Sequence, residues 1–123
     1  LIEMKEHIKG ILIDLKLDFR ILNICAGDLG FTSSITYDFE VFSKGQEKWL
    51  EISSVSNFKT YQSNRLNLKF KDKDGKNYTL HTLNGSSLSL PRVMAGLIEN
   101  NQCEIGIIIP DVLVPYTGFD IIN

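Results

Sequence analysis

Leu83-Asn84-Gly85-Ser86-Ser87-Leu88-Ser89-Leu90-Pro91-Arg92 is the stretch on which the fold turns. It reads as the end of a strand, a polar turn at Asn84-Gly85-Ser86, and a helix start with an arginine in its first turn. Pro91 fits there, because early helix positions need no N–H donor. Beyond it, Leu90, Met94, Leu97 and Ile98 predict the core side of a helix from Leu88 to Asn101. A strand that feeds such a helix start suits an anion. Arginine offers a fixed fork of donors, and the first N–H groups of a helix add partial positive charge.

Upstream, Ile35 to Ser43 alternates. Ile35, Tyr37, Phe39 and Val41 face one way and Thr36, Asp38 and Glu40 the other. After a turn at Lys44-Gly45-Gln46, Glu47 to Ser54 predicts an antiparallel partner strand. Regular alternation puts Trp49, Glu51 and Ser53 on one face and Leu50, Ile52 and Ser54 on the other. Leu1 to Leu17 has helical spacing through Met4, Ile8, Ile11, Leu12 and Leu15. Arg20 to Cys25 reads as a short, mostly buried strand, with Cys25 a small buried residue. Asn57 is placed to cap a helix from Phe58 to Arg65. Asn67–Lys71 and Tyr78–Leu83 predict two strands joined at Asp74-Gly75. The apolar tail from Ile105, turning at Pro110 and Pro115, is expected to pack back onto the sheet. Strands paired by short turns, with helices at both ends and between, predict an α+β domain: an antiparallel sheet with flanking helices.

Composition narrows the function classes. At 123 residues the chain is long enough for one domain with a core. It is 43% hydrophobic and 23% charged, within the range of soluble globular proteins, and no apolar run could span a bilayer. A net charge of −2 lacks the basic excess of a freestanding nucleic-acid binder. Lys69, Lys71, Lys73 and Lys76 cluster locally, as a solvated hairpin tip or as an RNA backbone contact. Cys25, Cys103, His7 and His81 are too scattered for a zinc site. The start at Leu1, with no signal pattern after it, suggests an excised or processed piece.

Glu51 is the first candidate for chemistry. A carboxylate in mid-strand among apolar neighbours needs a partner or a cation, and magnesium takes oxygen ligands from one or two carboxylates plus phosphates. The strand pattern alone equally suits a solvent-facing glutamate. Arg92 can be an anion ligand or a helix-surface residue. Thr82, Asn84 and Ser86 can bind a small polar ligand or serve the turn. No serine–histidine triad, Walker loop or dinucleotide fingerprint is present.

Two of these stretches resemble class II aminoacyl-tRNA synthetases of the seryl type. Leu83–Arg92 is similar to their motif 3. Glu51-Ile52-Ser53-Ser54-Val55-Ser56-Asn57 resembles the strand that carries an acidic ATP and metal site. Gly27-Asp28-Leu29-Gly30-Phe31, Thr36-Tyr37-Asp38-Phe39-Glu40, Tyr61-Gln62-Ser63-Asn64-Arg65 and the tail Pro110–Tyr116 resemble segments of the same family, so the likeness runs through the whole chain. Asn64 stands where an arginine is common, and Ser87 and Pro91 where small residues are usual.

The resemblance implies that residues 1–123 are the C-terminal portion of a class II catalytic domain. It implies a serine–tRNA ligase, which activates serine with ATP to seryl-adenylate and transfers the seryl group to tRNA(Ser). It assigns Glu51 and Arg92 to catalysis, Glu51, Ile52, Ser53, Ser54 and Arg92 to ATP, and Glu51 and Ser54 to Mg2+, with no zinc. Thr82, Asn84 and Ser86 fall in the serine pocket. Asp38 and Glu40 take a supporting role. The expected partners are tRNA(Ser), serine, ATP and a second subunit, without membrane or DNA, in the cytoplasm or an organelle. The family's helical tRNA-binding arm, its motifs 1 and 2 and its threonine–glutamate serine clamp have no counterpart here, so the chain by itself is expected to be inactive. A non-catalytic synthetase-like binding module is the alternative.

Overall fold

A computed structural model describes all of residues 1–123. Helix α1 (Ile2–Asp14) buries Ile8 and Leu12, as its spacing predicts. It ends in a left-handed residue, Lys16 at φ 54, with Lys16 N–H donating to Ile13 O and Leu17 N–H to Leu12 O. This closing pattern satisfies terminal carbonyls and brings Leu17 back over Leu12. Strand β1 (Phe19–Asn23) then pairs antiparallel with β2 (Ile35–Ser43), and β2 with β3 (Lys48–Lys59).

Helix α2 (Tyr61–Leu66) follows, then a hairpin of β4 (Lys69–Lys71) and β5 (Asn77–Thr79), and then β6 (Thr82–Gly85) beside β3. The main sheet has the order β1-β2-β3-β6. Helix α3 (Leu90–Asn100) leads to a small antiparallel sheet of β7 (Gln102–Cys103), β8 (Gly106–Ile108) and β9 (Ile121–Ile122), with the short helix α4 (Val114–Thr117) between the last two. The α+β class with an antiparallel sheet is as expected.

Helices α1 and α3 pack on one face of the main sheet. The core there joins Ile8, Leu12, Leu15 and Leu17 to Phe39, Val41, Ile52, Val55 and Val93. The opposite face carries no helix of the core and is where the polar residues collect.

Several local expectations are corrected. Strand β3 runs on to Lys59, so Asn57 lies within it and does not cap a helix from Phe58. Asn57 is paired with Ile35 on one side and Leu83 on the other, and sheet pairing outweighs the local cap. Tyr78–Leu83 is not one strand: β5 belongs to the hairpin and β6 to the main sheet. Helix α3 turns Val93 and Gly96 to the core, while Leu90, Met94 and Ile98, expected on the core side, are exposed. A Cβ on Gly96 would stand 3.1 Å from Val41 Cγ1, so the helix rests on the sheet through its smallest residue. The tail lies mainly against α3, with Leu113 packed against the core. Met94, Leu97 and Ile98 face Ile107, Ile109, Leu113 and Phe119 across an apolar cavity of about 220 Å³. Cys25 is exposed, because β1 ends at Asn23 and the loop begins before it.

Candidate functional site

The site is built on an irregularity in β3. Glu40 is opposite Glu51, but Phe39 is opposite Ser53, so Ile52 is an extra residue with no partner on β2. A bulge of this kind breaks the two-residue alternation. Glu51 and Ser54, three apart, therefore come to the same face, and Ser53 turns to the core beside Ile52. This corrects the expectation that Glu51 and Ser53 share a face and Ile52 and Ser54 the other. The side chains of Ile52 and Ser53 are buried, so any contact they make with a ligand runs through the backbone.

Cross-strand rows follow from the register. Arg20, Glu40 and Glu51 form one row, with the Arg20 Nε donating to Glu40 at 2.5 Å. Leu22, Asp38 and Ser54 form the next, and Thr36, Ser56 and Asn84 the third. Thr36 and Ser56 hydroxyls are 2.8 Å apart. With the loop Asp28–Ser33 above them, Thr36, Asp38, Glu51, Ser54 and Ser56 line an open pocket of about 260 Å³. Three carboxylates, of Asp28, Asp38 and Glu51, line it, and no basic side chain does. Asp38 Oδ1 is buried there without a hydrogen-bond partner.

The strand-to-helix stretch is moored to the same bulge. Ser86 N–H donates to Ser54 O at 3.2 Å and Ser89 N–H to Ile52 O at 2.6 Å. Ser53 Oγ donates back to Ser86 O at 2.5 Å. Arg92 Nη1 donates to Glu51 O at 2.5 Å. Carbonyls left free by the bulge thus bind the start of α3, and Arg92 is fixed beside Glu51 with its remaining donors exposed.

The structure brings Glu51, Ser54 and Arg92 together. It separates the residues expected around serine. Asn84 stands across from Ser56, next to the pocket. Thr82 lies two residues back along β6 and donates its hydroxyl to Gln62 Oε1 at 2.8 Å. Ser86 borders another groove, with Met4 and His7 of α1. Sequence reasoning passed over Ser56 and Gln62. The period of two from Ser54 would have pointed to Ser56. Gln62 had no signal, since its partner is distant in sequence.

The hard oxygen donors of Glu51 and Ser54, the orphaned Asp38 oxygen and a pocket lining without a basic side chain fit a divalent cation that arrives with phosphates. No cluster of three or more histidine, cysteine or acidic residues could hold a metal ion unaided.

Comparison with known proteins finds relatives along nearly the whole chain. The family model described as "tRNA synthetase class II core domain (G, H, P, S and T)" matches residues 1–101. A serine–tRNA ligase of Akkermansia muciniphila is 49% identical over 121 residues, covering 98% of this chain and 28% of that protein. One of Prosthecochloris aestuarii is 47% identical over 123 residues, with the same two coverages. The crystal structure of seryl-tRNA synthetase from Pyrococcus horikoshii complexed with ATP superposes with a TM-score of 0.90 at 38% identity, over 96% of this chain and 27% of that one. The cytoplasmic serine–tRNA ligase of Naegleria fowleri in complex with AMP gives 0.87 at 28% identity, over 98% of this chain and 29% of that one. The chain therefore spans little more than a quarter of the length of these relatives, and it belongs to the class II aminoacyl-tRNA synthetase core-domain family, on its seryl-tRNA synthetase branch.

Proposed function

We propose that these residues form the C-terminal portion of the catalytic domain of a serine–tRNA ligase and supply one wall of its ATP site. The observation that carries this reading is the bulge at Ile52. It sets Glu51 and Ser54 side by side and ties Arg92 to the Glu51 carbonyl. The ATP and AMP named for the two solved relatives support a nucleotide at this wall.

Glu51 and Ser54 would hold Mg2+, which when bound neutralises phosphate charge. Arg92 presents its fork to the phosphates or the adenine, already oriented by its backbone bond. In the reaction the serine carboxylate oxygen attacks the α-phosphorus and pyrophosphate leaves; a tRNA hydroxyl then takes the seryl group from the adenylate as an ester, and AMP leaves. The protein's part in the first step is electrostatic and needs no covalent intermediate. Asn84, beside Ser56, is the best placed of the three serine candidates, with Thr82 and Ser86 at the margins. We assign tRNA(Ser), serine and ATP as partners, a homodimer as the assembly, and the cytoplasm or an organelle as the place.

The test is Glu51→Ala in the full-length protein that carries this sequence. Serine-dependent exchange of pyrophosphate into ATP should fall about a hundredfold or more. Near wild-type exchange at saturating magnesium, with folding verified, would reduce Glu51 to a surface residue and remove the reading's main support.

A further inference from the structure

We propose that the limb running from Phe31 across α2 to the β4–β5 hairpin is a docking surface for single-stranded RNA, occupied by the unpaired 3′ end of the acceptor. The inference rests on the function proposed above and adds a surface to it.

Charge is the first argument. From Lys59 to Thr79 six basic residues stand against two acidic ones, in a chain of net charge −2. None of Lys69, Lys71, Lys73 and Lys76 is in a salt bridge. The acid Asp72 is turned inward on the turn, with Oδ1 accepting from the N–H groups of Asp74 and Lys76. The limb therefore presents a net positive charge on lysines that no carboxylate pairs, as a phosphate backbone requires.

Aromatic placement is the second. Phe31 is 88% exposed on the loop that roofs the pocket, and its flanking residues Gly30 and Thr32 line that pocket. Its ring meets Tyr61 edge-on with centroids 6.0 Å apart. Arg65 lies over the Tyr61 ring, with its guanidinium carbon 3.5 Å from the ring centroid, and its Nη1 donates to Tyr61 O. Further out, Phe70 and Tyr78 stack at 5.2 Å with an interplanar angle of 21°, and Lys76 Nζ is 5.3 Å from the Tyr78 ring. No residue from 64 to 92 is buried, so these rings are not part of the core. Paired strands are only about 5 Å apart. Lys69 and Lys71, leaving the other face of so narrow a ribbon, still raise the potential along its edge. Rings, most of them exposed, interleaved with cations that no carboxylate pairs, beginning at the pocket mouth, are the chemistry that holds unstacked bases and their phosphates.

The full-length protein tests this with fluorescence anisotropy of a labelled tRNA and of a short single-stranded oligoribonucleotide, beside RNA-free pyrophosphate exchange. Lys69→Gln/Lys71→Gln/Lys76→Gln should weaken binding of both RNAs about tenfold or more and flatten the log–log salt slope by about 2. Phe31→Ala should weaken it several-fold, Phe31→Tyr should restore it, and exchange should be unchanged in all three. Unaltered RNA affinity in the triple variant and in Phe31→Ala would overturn the proposal. So would an equal loss of exchange and RNA binding, which marks a structural role, or displacement of RNA by polyglutamate but not by excess unlabelled oligoribonucleotide, which marks a protein partner. If the wild type binds RNA with this lysine dependence yet shows no serine-dependent exchange, the proposed activity falls and the RNA surface stands.

Discussion

Arg92 is one of the thirteen basic residues of the chain, and what distinguishes it is its acceptor. Its guanidinium is exposed yet spends one N–H on the Glu51 carbonyl, so the remaining donors leave from a fixed plane. Lysine in that place keeps the charge but cannot hold the carbonyl and a phosphate with one rigid fork. Arg92→Lys in the full-length protein should therefore melt normally, raise the KM for ATP about tenfold or more, and leave the KM for serine nearly unchanged. Steady-state exchange kinetics with each substrate varied in turn provide the check. Equal losses for ATP and serine would show that the Ser86–Ser89 loop had collapsed and that Arg92 acts through structure. The sequence made the position of Arg92 legible, in the first turn after a polar break. The mooring to Glu51 was not legible, because its acceptor is a backbone carbonyl and any residue could have supplied it.

At the scale of elements, legibility followed local periodicity. Helix α1, the alternating strand β2 and the turn before β3 stand in the sequence because one repeat governs each. The face of Ser53 and Ser54 was misread because the bulge inserts Ile52, and a buried isoleucine looks the same in a regular strand as in a bulged one. The helix expected over Phe58 to Arg65 is present as α2 but begins only at Tyr61, for a related reason: Asn57 has good capping chemistry, but β6, some 25 residues later, claims it for the sheet. The same pairing sets Gly85 opposite Val55, where α1 also arrives. A Cβ on Gly85 would lie 2.7 Å from both Met4 Cε and Val55 Cγ1. The methionine tip can swing away, whereas the β-branched valine on a central strand cannot. Gly85→Ala should therefore cost about 1–3 kcal/mol, read as a lower urea midpoint, and Met4→Ala in the same chain should recover only part of it. Full stability in Gly85→Ala would mean that β6 shifts freely, and would weaken the case that Asn84 has a fixed place beside Ser56.

For the whole molecule, surface area is the guide. The chain exposes 8299 Å² at 13.9 kDa, where a self-contained monomer of that mass exposes about 6,700 Å². Much of the excess is apolar, with Leu66, Leu90, Ile105 and Tyr116 among the large residues left open. One tie between distant parts is exposed to solvent. Lys16, just after α1, donates to Asp111 of the tail at 2.5 Å, and that hydrogen bond and the ammonium charge hold the Asp111 carboxyl below its ordinary 3.8. A depressed folded value means that the contribution is complete above the unfolded pKa and is lost as pH falls through the folded one. Asp111→Asn should thus lower the melting temperature slightly at pH 7, and the difference should shrink as acid protonates the carboxylate, or in 1 M salt. A difference unchanged by acid and by salt would assign the effect to packing. The same openness decides what this chain does alone. The pocket offers a nucleotide three carboxylates and no basic side chain, with Arg92 at its edge as the local cation. Triphosphate repels such a wall unless magnesium and further cations face it from residues beyond these 123. The purified 123-residue chain should accordingly show no serine-dependent exchange of pyrophosphate into ATP, while the full-length protein does. A rate for the isolated chain clearly above its no-serine control would mean that this wall assembles the reacting groups unaided, and the charge argument for a second wall would be wrong.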